Sequence, residues 1–182
     1  MSSGAERTRS TGRIPRLVLD TSAYSRFRSG DSRVHDLIAE ADVIIIPTTV
    51  LGELYGAFEV GSRARANHVD LRDFLDEPFV TVAPVTEAVA RQYGRVYAAL
   101  RTAGTPIPVN DMWIAASAID QGSCLLTFDT DFERVGGLDR IVLDGLSRLP
   151  ARVRPAGPRT RPESGHLLTH SPHREEQSLC VA

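Results

Sequence analysis

The sequence predicts an α/β fold: one parallel sheet of about five strands, covered on both faces by helices. Two observations carry this. Short, nearly continuous apolar runs such as Leu17-Val18-Leu19, Val43-Ile44-Ile45-Ile46 and Leu125-Leu126 alternate with longer stretches of helical pattern. Strands buried on both faces read in this way, whereas half-exposed strands alternate polar and apolar positions. Two such runs, Leu17-Val18-Leu19 and Leu125-Leu126-Thr127-Phe128, lead straight into aspartates, Asp20 and Asp129. In an open parallel sheet, strand C-terminal ends and nearby helix starts meet at one crevice.

In order along the chain, residues 16–20 form the first strand, and 21–27 and 31–41 form short helices. A second strand, 43–46, is stopped by Pro47. Thr48 or Thr49 can cap a helix running to about Val60, since threonine hydroxyls accept from free N–H groups of a first turn. Residues 62–75 form another helix, and 79–82 a third strand. A long helix over 86–102 is capped by Thr86. Thr105-Pro106-Ile107-Pro108 makes a stiff connector into a helix from about Asn110 to Gln121, ended by Gly122. A fourth strand at 124–128, a turn with a short helix at 129–134, and a fifth strand at 140–143 complete the set. Residues 1–14 and the tail 150–182 have few large apolar residues, and both are expected to be disordered. The tail holds His166, His170 and His173, a possible metal tract that reads better as solvated chain.

At 182 residues the chain can bury one real core. No apolar run approaches the roughly 20 residues that span a bilayer. The polar start, Met1 to Arg13, has no apolar signal region, so a cytoplasmic protein without membrane association is expected. Cys124 and Cys180 form no CxxC or Cys/His cluster, which speaks against zinc. All 21 basic residues are arginine. The lack of lysine excludes a P-loop and Schiff-base chemistry. Between Arg16 and Leu149, 13 arginines stand against 19 acids, so the core is acidic although the whole chain is only −2. That balance does not suit a general nucleic-acid binder. It suits a site that binds cations.

Four acids have the placement such a site needs. Asp20 and Asp129 follow strands, Glu53 lies in a helix, and Asp111 lies near a helix start. Each has an ordinary alternative. Asp20 could cap the next helix, and either Asn110 or Asp111 could do the same. Glu53 could be an exposed helical acid. Asp129 and Asp131 could be turn residues. Four carboxylates in one crevice repel strongly unless a cation sits among them, so together they point to a hard divalent metal.

Four motifs, in order, carry a family resemblance: Leu17-Val18-Leu19-Asp20-Thr21-Ser22, Val50-Leu51-Gly52-Glu53-Leu54, Asn110-Asp111-Met112-Trp113-Ile114-Ala115-Ala116, and Leu126-Thr127-Phe128-Asp129-Thr130-Asp131-Phe132-Glu133-Arg134-Val135. Over about residues 16–144 the chain resembles PIN-domain ribonucleases, more narrowly the VapC-type toxins of bacterial toxin–antitoxin pairs. The resemblance implies a PIN-like three-layer α/β/α sandwich spanning residues 15–149. It implies an endoribonuclease that uses Mg²⁺ or Mn²⁺ and leaves a 5′-phosphate and a 3′-hydroxyl. By position, Asp20, Glu53, Asp111 and Asp129 match the family's acidic quartet. Asp131 is a plausible fifth acid, and Thr21, Ser22, Asn110 and Thr127 match polar positions that steady the carboxylates. A cognate VapB-like antitoxin and a homodimer are implied as well. The core histidines His35 and His68 receive no role. Trp113 reads as packing, and Arg26, Arg28, Arg63 and Arg65 as either RNA contacts or solvated surface. A catalytically silent PIN-like module that binds RNA or protein is the alternative. A receiver domain is excluded by the missing lysine, and a haloacid-dehalogenase-type phosphatase by Ser22 where it would need an aspartate.

Overall fold

The computed structural model describes residues 13–145. Its strands are β1 (Ile14–Leu19), β2 (Ala41–Pro47), β3 (Val80–Ala83), β4 (Cys124–Thr127) and β5 (Arg140–Val142). Its helices are α1 (Thr21–Arg28), α2 (Ser32–Glu40), α3 (Thr48–Val60), α4 (Ala64–Leu75), α5 (Glu87–Ala103) and α6 (Val109–Asp120), with a 3-10 turn at Thr130–Arg134. Of the segments expected to be disordered, residues 1–12 and 150–182 lie outside the described residues, as do the tail histidines and Cys180, whereas Ile14, at the end of the first of them, already belongs to β1.

The strands form one parallel sheet in the order β3-β2-β1-β4-β5. The chain therefore builds outward from β1 to β3, then jumps back to place β4 on the other side of β1. Right-handed crossovers put α1 to α4 on one face of such a sheet and α5 with α6 on the other. The packing agrees: α1 touches α2 and α3, α3 touches α4, and α5 lies along α6. The result is the expected three-layer sandwich. The strand order reverses between β1 and β4, and a doubly wound sheet opens its ligand crevice at that point.

The core explains the apolar runs. Leu17, Val18, Leu19, Ile44, Ile45, Ile46, Leu125 and Leu126 are fully buried, so consecutive residues of each central strand face helices on both sides. β1 pairs with β2 through Val18 and Ile45, and with β4 through Leu19 and Leu126.

Several boundaries differ from expectation. β1 begins at Ile14, because that residue already pairs with Ala41 of β2. Neither Thr48 nor Thr49 caps α3. The cap position belongs to Pro47, extended at φ −60° and ψ 144°, with no side-chain cap bond. Pro47 ends β2 and α3 starts at the next residue, so both threonines lie inside the first turn. Likewise α4 starts at Ala64, two residues late, after a turn at residues 62–63. Thr86 does cap α5, accepting from the Val89 N–H at 3.3 Å. Gly104 ends that helix in the left-handed region at φ 70°, a conformation open to glycine at little steric cost. Among the described residues, no helix is long and apolar enough to cross a membrane.

Ile45 lies at the centre of this packing, between Val18 and Thr81 in the sheet. Ile45→Ala should destabilise the fold by about 3 kcal/mol through lost burial and a residual cavity. Urea unfolding should show a lower midpoint with an unchanged slope.

Candidate metal centre

Asp20 is the first residue past β1 and the N-cap of α1. Its carboxylate accepts from the Ala23 N–H at 2.7 Å. The Ser22 hydroxyl donates to both carboxylate oxygens at 2.8 and 2.9 Å, and the fully buried Thr127 hydroxyl donates at 2.6 Å. Capping and a place in the site thus coexist. Burial pushes the Asp20 carboxyl above its ordinary range, the charge of Asp129 adds to this, and the three hydrogen bonds oppose it. Thr127 and Ser22 also accept, from the N–H groups of Asp129 at 2.9 Å and Phe128 at 3.0 Å. The end of β4 is therefore laced to the start of α1, next to the Leu19–Leu126 pair.

Glu53 lies in the second turn of α3, on the same side of the molecule as Asp20. Thr21 Oγ1, one residue beyond Asp20, donates to Glu53 Oε2. Asn110 Nδ2 donates to the other oxygen at 2.8 Å. Glu53 is thus a bridge between α1 and α6. Capping of α6 falls to Pro108, not to Asn110 or Asp111. Asn110 is the second helical residue and spends its amide on Glu53. Asp111 is the third.

Asp111 is where the charges meet. Its carboxyl is pushed up to about 6, first by burial, then by the charges of Asp129, Glu53, Asp20 and Asp131. One carboxylate oxygen from each of Asp111, Asp129 and Asp131 lies within 4.8 Å of the others. Asp129 shapes the 3-10 turn by accepting from the Asp131 N–H at 2.8 Å, an Asx turn that aims both side chains the same way. Asp131 is paired at 3.1 Å with Arg134.

All nine residues singled out in the sequence therefore fall in one place, at the β1/β4 switch point. They form two groups: an inner trio of Asp111, Asp129 and Asp131, and two supported acids, Asp20 and Glu53, beside it. The donors are all oxygens, mostly carboxylate, a set that fits Mg²⁺ or Mn²⁺ and not soft metals. Two further side chains were not singled out as site residues. Arg134 pairs with a site acid. Thr49 Oγ1, the one buried side-chain oxygen or nitrogen without a hydrogen bond among the described residues, lies one turn before Glu53 on α3. No local pattern marks either of them.

Outside the centre, Trp113 stacks on Tyr93 with ring centroids 4.1 Å apart, as packing requires. His35 bonds the Phe27 carbonyl and His68 stacks on Tyr55. Arg28 pairs with Asp70, and Arg26 lies over the Phe128 ring. A separate cleft of about 270 Å³ between α1, α3 and α4 is lined by Tyr24, Arg28, Leu54, Phe58 and Arg63 among others.

An acid whose folded pKa is raised stabilises the fold fully only below its unfolded value, and that contribution is lost as pH rises through the folded value. For Asp111 the window runs from about 4 to about 6. Its partial exposure screens the effect to about 1 kcal/mol. In chelator-treated protein, Asp111→Asn should raise the thermal midpoint at pH 7.5 by about 2–4 °C and leave it nearly unchanged at pH 4. A lower midpoint at pH 7.5 would contradict the crowding of charge at Asp111.

A PIN domain family model matches residues 17–138. Ribonuclease VapC5 of Mycobacterium tuberculosis is 32% identical over 125 residues, which cover 66% of this chain and 87% of that protein. Ribonuclease VapC4 of the same organism is 34% identical over 59 residues, 32% of this chain and 45% of its own length. Among solved structures, VapBC2 from Rickettsia felis, bound to a promoter DNA fragment, superposes with a TM-score of 0.63. It shares 22% identity and covers 71% of this chain and 99% of the matched one. That likeness speaks for the fold. With the family model running from Leu17 within β1 through β4 and covering all four acidic motifs, the chain belongs to the PIN domain family.

Proposed function

We propose that this chain is a divalent-metal-dependent endoribonuclease, the toxin of a toxin–antitoxin pair restrained by a VapB-like antitoxin. The observation that carries the chemistry is the gathering of five carboxylates at the β1/β4 switch point, with three of their oxygens within 4.8 Å. Asp111, Asp129 and Asp131 would hold the ion, with Asp20 and Glu53 adding negative charge and further oxygens. Mg²⁺ or Mn²⁺ bound there would offset the repulsion and polarise the scissile phosphate and the attacking water.

The chain's own residues prepare the site. Thr127 and Ser22 fix the Asp20 carboxylate, so its lone pairs are aimed without a rotamer search. Asn110 and Thr21 do the same for Glu53. An acidic site repels a polyanion, so RNA approach depends on the cation and on nearby arginines. RNA as substrate is supported by the two relatives named as ribonucleases. A VapB-like partner is supported by the VapBC composition of the structural relative. The cleft between α1, α3 and α4, whose walls mix Leu54 and Phe58 with Arg28, Arg63 and Asp70, offers such a partner a concave seat near the acids, and an arginine from it could pair with the carboxylates in place of the metal. Homodimer assembly rests on the family resemblance, and action in the cytoplasm on the sequence expectation alone. No observation favours a catalytically silent module, and the gathering of five acids argues against one.

Cleavage of single-stranded RNA with Mn²⁺ tests the reading. Wild type should cut and chelator should stop it. Asp111→Asn or Asp129→Asn should reduce the rate at least ~100-fold. Thr127→Val, which removes one support of Asp20, should lose about 10- to 100-fold. Undiminished cleavage by Asp111→Asn, or with chelator present, would defeat the assignment.

A further inference from the structure

Among the described residues, Arg134 is the only basic side chain paired with any of the five acids of the centre. Its Nη1 lies 3.1 Å from Asp131 Oδ1, and the same nitrogen makes a long contact, 3.5 Å, with the Pro106 carbonyl. The two residues are three apart in a 3-10 turn, where side chains at that spacing eclipse one another and meet without distortion. Pro106 belongs to the connector that leads into α6 and Asp111. The guanidinium thus links the turn that carries Asp129 and Asp131 to the segment that delivers Asp111. Both side chains are partly exposed, 46% for Arg134 and 29% for Asp131, so the pair can exchange partners with solvent.

We propose that Arg134 is a built-in counter-ion that competes with a divalent cation for Asp131. The proposal rests on the metal reading above and names a residue that regulates that same site. Without metal, the guanidinium neutralises one member of the trio and holds the turn against α6. A cation ligated by Asp131 must share that carboxylate with Arg134 or displace it, and the two positive charges then stand a few ångströms apart. Arg134 therefore weakens metal binding while it keeps the metal-free site assembled. Displaced, its five-donor fork is left at the rim of the site, free to meet a phosphate.

Mn²⁺ affinity of the full chain, measured by titration calorimetry at low salt, decides the matter. Arg134→Gln should bind roughly three- to tenfold more tightly than wild type, a size set by one screened charge near the ion. Arg134→Lys keeps the charge and should bind close to wild type. The gain in Arg134→Gln should fade in high salt, and it should be smaller in an Asp131→Asn background. Wild type that binds Mn²⁺ while Arg134→Gln binds equally or more weakly would overturn the competition and leave the metal reading standing. Wild type that binds no Mn²⁺ would overturn both. A matched circular-dichroism melt checks that Arg134→Gln is folded; if it is not, Arg134→Ala, which also removes the charge, takes its place with the same expected gain.

Discussion

Mutual repulsion among carboxylates is the constraint on which this molecule turns. Five of them converge on the gap between β1 and β4, and Asp111 feels the charge of the other four. Like charges so placed do not stay together by themselves; something must hold them. Two of the acids are held by hydroxyl or amide side chains. Asp20 receives one backbone and two hydroxyl donors, and Glu53 receives a hydroxyl and an amide. Asp111 is less well served, and burial together with four neighbouring charges pushes its carboxyl up to about 6.

What holds the rest is the sheet. Each acid is attached to an element anchored by residues with almost no exposed surface: Leu17 to Leu19 in β1, Val50 in α3, Leu125 and Leu126 in β4, and Ile114 to Ala116 in α6 with at most 1% exposed. Hydrophobic burial of this size outweighs the local electrostatic cost several times over. Packing thus enforces an arrangement that the side chains alone would abandon. A cation among these carboxylates would offset the repulsion that the packed core otherwise has to carry. Among the described residues Arg134 is the one basic side chain paired with these acids, and it offsets part of their repulsion.

Much of this was legible in the sequence, for physical reasons that differ from one residue to the next. Strands buried on both faces must be apolar at consecutive positions, so Ile44-Ile45-Ile46 announced itself. Asp20 and Asp129 stood out because an acid straight after such a run has few places to go. Long-range partners were not visible. That Asn110 reaches Glu53, 57 residues away, depends on how α6 crosses α3, and no local pattern encodes it. Thr48 and Thr49 misled because threonine favours caps in general, while Pro47 ended the strand with the right extended backbone to start the helix by itself. Nor could the sequence divide the acids into an inner trio and a supported pair, since the split follows from side-chain direction. The pairing of Arg134 with Asp131 was hidden because it requires a 3-10 turn, where a spacing of three means contact.

Anomalous diffraction from crystals grown with Mn²⁺ would test the central claim most directly. A single strong peak, about 2 Å from oxygens of Asp111 and Asp129, with Asp131 turned toward it, is the result expected of an acidic centre built around a cation. Well-ordered carboxylates with no peak among them at saturating Mn²⁺ would contradict it, and the crowding of negative charge would then need a different cause.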